Sequence, residues 1–328
     1  MNTKYSAILL SGLILSTDVS PCIAAIHSHQ KEPVATEVIQ TQWQGKKVAF
    51  LGDSITDKSH VGTTKNYWQY LEEMLGLEAL VYGINGHHWV GVLEQAKKLK
   101  EEKGNQVDAI IIFAGTNDYN EGIPLGDWFR TEKTSVEVAG PSREIRLKRI
   151  PQTDDTNFRG RINNVMAYLK ENFPTQQIIL LTPIHRAQAY FGKDNIQPEE
   201  AFPNKSGLYV DSYVNVIKEA SNVWAVPVID LNSISGLYPM CDAQTPYFHN
   251  EKTDRLHPNA AGHYRIISYW HILPISSTKV YCCVYITIRV AFPALYLIIN
   301  RSENNDLTAC WHLSEKKTVK QKNISFSY

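Results

Sequence analysis

The chain has 328 residues, enough for one large domain or two smaller ones, and its 43% hydrophobic and 20% charged content is that of a folded protein. Its 33 Lys plus Arg balance 33 Asp plus Glu, so no global charge steers it toward nucleic acid or anionic lipid. The five cysteines form no C-x-x-C pair and no regular spacing, which argues against a zinc site or a disulfide framework and leaves an isolated disulfide open.

The first 25 residues read as an export signal. Lys4 supplies a positive start, the apolar stretch from Ser6 to Leu15 is too short to span a bilayer, and small residues follow at Cys22, Ala24 and Ala25. The expected location is secreted or periplasmic. The stretch before Cys22 lacks the small-residue pattern that precedes a lipidated cysteine. Residues 26–45 are polar and aperiodic and read as a linker.

Strand and helix patterns then alternate. "KKVAFLG" is a first strand and "NYWQYLEEML" a helix; "LEALVYGI" is a second strand and "GVLEQAKKLKEE" its helix. "VDAIIIFAG" is a third strand, apolar almost throughout, as suits a strand buried on both faces of a parallel sheet. Residues 119–156 interrupt the rhythm, with Pro124, Trp128, Pro141 and the alternating "REIRLKRI", which predicts a small hairpin. The alternation resumes with the helix "NFRGRINNVMAYLKENF", the strand "QQIILLTPI", the helix "LYVDSYVNVIKEASNV", the strand "VPVIDL" and a final helix beginning at "NAAGHYRIISYW". Such repeats predict an α/β fold with a parallel sheet covered by helices on both faces. Ligands of these sheets collect beyond the carboxyl ends of the strands.

Those ends carry the polar and glycine-rich residues. Gly52-Asp53-Ser54 follows the first strand, Gly83 to His88 the second, Gly115-Thr116-Asn117-Asp118 the third, and Asp254-Arg255-Leu256-His257 comes after the fifth. Each block alone reads equally as a turn, a helix cap or a surface hydrogen bond. In this order and at these positions they resemble the SGNH hydrolases, also called the GDSL esterase/lipase family, over about Lys46 to Trp270. Ser54 in "GDSIT", Gly86 in "GINGHH", Asn117 in "GTND" and His257 in "DRLHPN" match the four family blocks, Asp254 matches the acid before the histidine, and "LTPIHR" also looks like a family stretch.

The resemblance implies a three-layer α/β/α sandwich on a five-stranded parallel sheet of the flavodoxin-like SGNH hydrolase fold. It implies catalytic Ser54, Asp254 and His257, and an oxyanion hole from Ser54, Gly86 and Asn117. The reaction it implies is acyl transfer from a small-molecule or glycan ester to water, without metal or organic cofactor and without a nucleic-acid partner. The chemistry is consistent, because a serine hydroxyl needs a base, the base needs an orienting acid, and a tetrahedral intermediate needs donors for its oxyanion. Carbohydrate O-acyl esters, acetyl among them, are the expected substrates, with lipid ester or thioester hydrolysis and a catalytically impaired binding protein as alternatives.

Asp53 is expected to fix the nucleophile loop and Asp118 to brace the third loop. His87 and His88 have no third ligand at metal spacing, and His87 is expected to line the pocket. His185 and Arg186 face either substrate or solvent. The 119–156 insert is expected to select substrate, with Trp128 at the mouth; the alternative is a peripheral hairpin. Family likeness stops after Trp270. Residues 271–328 hold a β-branched, aromatic stretch with Arg289 and Pro293 inside, open to reading as a buried strand pair, a membrane span disfavoured by Arg289, or the product of a shifted reading frame.

Overall fold

The computed structural model describes residues 41–140 and 142–268, and the strand segments 284–286, 295–301, 307–313 and 322–323. The expected export signal, most of the expected linker and the rest of the tail lie outside the described residues. In chain order the elements begin with β1 (Lys47–Gly52), α1 (Tyr67–Leu75), β2 (Glu78–Val81), α2 (Trp89–Lys103), β3 (Ala109–Phe113) and α3 (Thr116–Asn120). The insert hairpin β4 (Phe129–Glu137) and β5 (Arg143–Pro151) follows, then α4 (Phe158–Asn172) and β6 (Gln177–Leu181). A short hairpin, β7 (Ala189–Tyr190) and β8 (Ile196–Gln197), precedes α5 (Val210–Trp224), β9 (Val228–Ile229) and α6 (Leu231–Ile234). A 3-10 turn at Asp242–Tyr247 leads into β10 (Phe248–Asn250), β11 (Asp254–Pro258) and α7 (Ala260–Ile267). The tail strands β12 (Val284–Ile286), β13 (Leu295–Arg301), β14 (Leu307–Leu313) and β15 (Lys322–Asn323) pair antiparallel in that order, as a sheet rather than the strand pair considered above.

The main sheet has five parallel strands in the order β2-β1-β3-β6-β9. Counted along the chain this is the 2-1-3-4-5 order of flavodoxin-like folds, whose crevice opens where the winding reverses, between the first and third strands. Strand alternation sends β1 and β3 side chains to two cores. Ala49, Leu51, Ile110 and Ile112 pack with α2, α4 and α5; Val48, Phe50, Ala109 and Ile111 pack with α1 and α7. The chain is therefore a three-layer α/β/α sandwich. Trp43 is buried on the α1 side, so the last residues of the expected linker belong to the folded unit.

A second sheet, β10-β11-β7-β8, lies apart from the first in hydrogen bonding. The sequence patterns did not predict it, because strands of two to five residues are too short to show periodicity. β4 and β5 form the predicted hairpin of the insert and stay largely exposed. No helix among the described residues is long and apolar enough to cross a membrane.

Candidate active site

The carboxyl end of β1 is held in a tight corner. A Cβ at Gly52 would stand 2.3 Å from the Phe113 carbonyl oxygen and 2.7 Å from Thr56 Oγ1, so only glycine fits beside β3. Gln95 of α2 clamps the same residue: its Oε1 accepts from Gly52 N at 2.8 Å and its Nε2 donates to Gly52 O at 2.8 Å. Gln95 belongs to none of the sequence motifs. The available signal was a polar residue on the apolar stripe of α2, between Val92, Ala96 and Leu99.

Beyond the corner the chain turns over Asp53. Its carbonyl accepts from Thr56 N and Asp57 N at 3.0 Å, and its Oδ1 accepts from Ile55 N at 3.1 Å, which fixes the loop as expected. Burial pushes the Asp53 carboxyl up to about 7, against the pull of the Ile55 N–H and the charge of His257. Ser54 stands at the tip, 4% exposed.

Ser54 Oγ lies 2.9 Å from His257 Nε2, and His257 Nδ1 lies 2.9 Å from Asp254 Oδ2. Asp254 Oδ1 also accepts from the N–H groups of Leu256 and His257 at 3.1 and 3.0 Å. This local turn within β11, opposite the register shift in β10, lets residues three apart converge although strand alternation alone would separate them. Burial raises the Asp254 pKa, but the hydrogen bond and charge of His257 and the two backbone donors outweigh it, leaving the carboxyl below its ordinary range.

The expected oxyanion donors stand on the loops that follow β1, β2 and β3. Gly86 has φ +78°, a conformation that favours glycine, while a Cβ there would meet nothing within 4 Å; the backbone angle, not crowding, selects the residue. Among the described residues neither Ser54 N nor Gly86 N donates to an acceptor within the chain. Asn117 Nδ2 donates to His87 O at 3.0 Å, which uses one amide hydrogen and leaves the other. Asp57, not singled out in the sequence, accepts from Asn85 N at 2.6 Å and ties the Gly86 loop to the Ser54 loop. Asp118 braces the third loop as expected, accepting from Trp89 N at 3.1 Å and pairing with Arg161 at 2.8 Å.

The four residues considered for substrate contact have other partners. Arg186 is 1% exposed, so it is not a surface contact. Its guanidinium donates to Gln197 Oε1 at 2.7 Å and Thr116 Oγ1 at 3.3 Å and lies over the Tyr119 ring, tying α3 to β8. Burial lowers its pKa to about 10, which still leaves it cationic at neutral pH. The Trp128 indole donates to Glu219 of α5 at 2.8 Å, Arg159 of α4 covers its ring, and it packs on the core. His87 Nδ1 accepts the second Gln95 amide hydrogen at 3.1 Å and lines a groove of about 650 Å³ along the β2 edge with Tyr82 and Ile84. His185 pairs with Glu200 at 2.5 Å, which raises its pKa, and meets the Tyr238 ring edge-on. No group of three or more metal-binding side chains occurs among the described residues.

The fold and sequence are similar to those of known proteins. A family model described as "GDSL-like Lipase/Acylhydrolase family" matches residues 50–265. A solved protein from Lactobacillus plantarum is 24% identical, with 68% of this chain and 93% of that chain covered and a TM-score of 0.51. A structure described as a possible lipase from Chitinophaga pinensis is 20% identical, with 68% and 95% covered and a TM-score of 0.50. No curated protein matches the chain. The family match runs from the second half of β1 through most of α7 and takes in Ser54, Gly86, Asn117, Asp254 and His257. The chain belongs to the GDSL-like Lipase/Acylhydrolase family of ester hydrolases.

Proposed function

We propose that the chain is an exported serine esterase that hydrolyses O-acyl esters, acetyl esters among them, on carbohydrate through an acyl-Ser54 intermediate. The observation that carries this reading is the unbroken hydrogen-bond chain from Ser54 Oγ through His257 to Asp254, set beside unused backbone donors. Export rests on the pattern of residues 1–25, and the carbohydrate substrate on the access an exported enzyme has to polysaccharide.

Ser54 Oγ attacks the acyl carbon while His257 Nε2 takes its proton. As the Oγ–C bond forms, the carbonyl electrons move onto oxygen. Ser54 N, Gly86 N and Asn117 Nδ2 are the donors for that oxyanion. Collapse breaks the bond to the alcohol oxygen, which receives the proton from His257. Water then attacks acyl-Ser54, gives its proton to His257, and releases the acid as the proton returns to Ser54 Oγ. Asp254 stays ionised throughout and holds the imidazole in the tautomer that presents an unprotonated Nε2 to Ser54.

The test is hydrolysis of p-nitrophenyl acetate and a panel of acetylated glycans by wild type and Ser54→Ala. The expected result is turnover by wild type only, with the glycan acetates among its substrates. Equal background rates in both proteins on every ester overturn the esterase reading. Activity confined to long-chain lipid esters or thioesters overturns the carbohydrate assignment.

A further inference from the structure

We propose that Phe191 forms the wall of the alcohol subsite, and that the alcohol it accepts carries a ring with a flat apolar face, as a pyranose does. The inference rests on the esterase reading above and specifies the leaving half of its substrate.

The chemistry locates the alcohol. His257 must return a proton to the departing oxygen, so that oxygen comes within about 3 Å of Nε2. The carbon skeleton attached to it therefore lies beside the imidazole. Of the surroundings of that ring, Asp254 occupies the Nδ1 side at 2.9 Å, and Gly62 lies so close that a Cβ there would stand 2.7 Å from His257 Cβ. Phe191 stands next to the ring itself: the centroids are 5.5 Å apart and the planes inclined by 54°. Phe191 is 44% exposed and belongs to neither core cluster, so the packing of the fold does not account for it.

The backbone holds Phe191 to the same unit as the base. The β7 strand pairs with β11, where Tyr190 N donates to Thr253 O at 2.8 Å and Arg255 N donates to Gln188 O at 3.0 Å. Phe191 N then donates to Asn195 O at 2.9 Å, across a turn opened by Gly192 at φ +127°. The aromatic ring is thus set in advance relative to Asp254 and His257, which are only one strand away. A phenyl ring offers no donor or acceptor. It recognises a partner by its apolar face, and a ring alcohol supplies a matching surface where a short open-chain alcohol does not.

The experiment compares two acetate esters that share an acyl group: an acetylated methyl xyloside and ethyl acetate. Both give the same acetyl-Ser54, so a difference between them reports only steps in which the alcohol is present. Phe191→Ala is expected to lower kcat/KM for the sugar ester by roughly 3- to 10-fold, in line with aromatic contact energies. Ethyl acetate and the hydrolysis rate of acetyl-Ser54 are expected to stay unchanged, and Phe191→Trp to retain the sugar activity. Equal losses on both esters, or slower acetyl-Ser54 hydrolysis, would mean that the ring acts by holding His257 and would overturn the proposal. So would unchanged kinetics in Phe191→Ala, or a wild type that cleaves ethyl acetate but not the sugar ester. A wild type no faster than Ser54→Ala on any ester overturns the esterase reading itself, and this subsite with it.

Discussion

Asn117→Ala separates the chemistry of the oxyanion donors from the integrity of the fold. The Asn117 amide makes one bond within the chain, to His87 O at 3.0 Å, and has one hydrogen left for an oxyanion. Truncation costs the first bond about 0.5–1.5 kcal/mol of stability. The Gly86 loop keeps two other ties, Asn85 N to Asp57 Oδ2 at 2.6 Å and His87 N to Ile84 O at 3.1 Å, so it stays in place. Losing the second hydrogen removes a donor that acts on the transition state, worth about 2.7–4 kcal/mol or roughly a hundred- to thousand-fold in kcat. The catalytic loss therefore exceeds the structural one. Because the oxyanion is absent from the bound ester, KM should change by no more than about 3-fold. Steady-state kinetics on p-nitrophenyl acetate, with urea unfolding of the same preparations, measures both quantities. A variant that keeps more than a third of wild-type kcat would remove Asn117 from the oxyanion donors. So would a variant whose lost activity is matched by unfolding under assay conditions.

Three further outcomes follow from the geometry. Asp53 titrates near 3.8 in the unfolded chain and at about 7 when buried, so between those values the folded protein holds a proton the unfolded chain has released. Wild type should then lose stability as pH rises through that window, by up to about 1.4 kcal/mol per pH unit, and Asp53→Asn should not; parallel urea-derived stability profiles would contradict this. Gly86→Ala should lower kcat at least about tenfold by turning the N–H away, whereas Gly207→Ala, at a comparable φ of +73° and equally uncrowded, should cost similar stability and leave kcat intact. Equal kcat in the two variants would remove Gly86 from the donor set. Trp128→Ala should lower unfolding stability by about 1–3 kcal/mol through lost contacts with Glu219 and Arg159, without moving KM for any ester; a changed KM would place Trp128 at the mouth.

The legibility of the chain follows the burial of its elements. β1, β3 and β6 are nearly continuous apolar runs because both faces of the main sheet are covered, and those runs mark where the polar loops begin. Ser54 and Asn117 sit just past two of those runs and could be read directly. Asp254 and His257 could be read from their motif, but not their setting: they lie on β11, in a small antiparallel sheet of very short strands. The supports were harder to see because they act across long separations. Gln95 is 43 residues from the Gly52 it clamps, and Arg186 is 70 residues from Thr116. Both are polar side chains at buried positions, where a buried group must find a partner that sequence spacing does not name. Arg186 and Trp128 have partners of the same long-range kind. A strand-end arginine and an insert tryptophan have the composition of substrate contacts, yet one is wholly enclosed and the other is bound to a helix carboxylate.

Ser54 Oγ is the proposed nucleophile, activated by His257. A fluorophosphonate that phosphonylates activated serines tests it directly, with intact mass and peptide mapping followed alongside esterase activity. The expected result is one label per chain, on Ser54, with activity falling in proportion to labelling and with labelling sharply slowed in His257→Ala. A label on another residue, or full esterase activity in a chain fully labelled at Ser54, would contradict it.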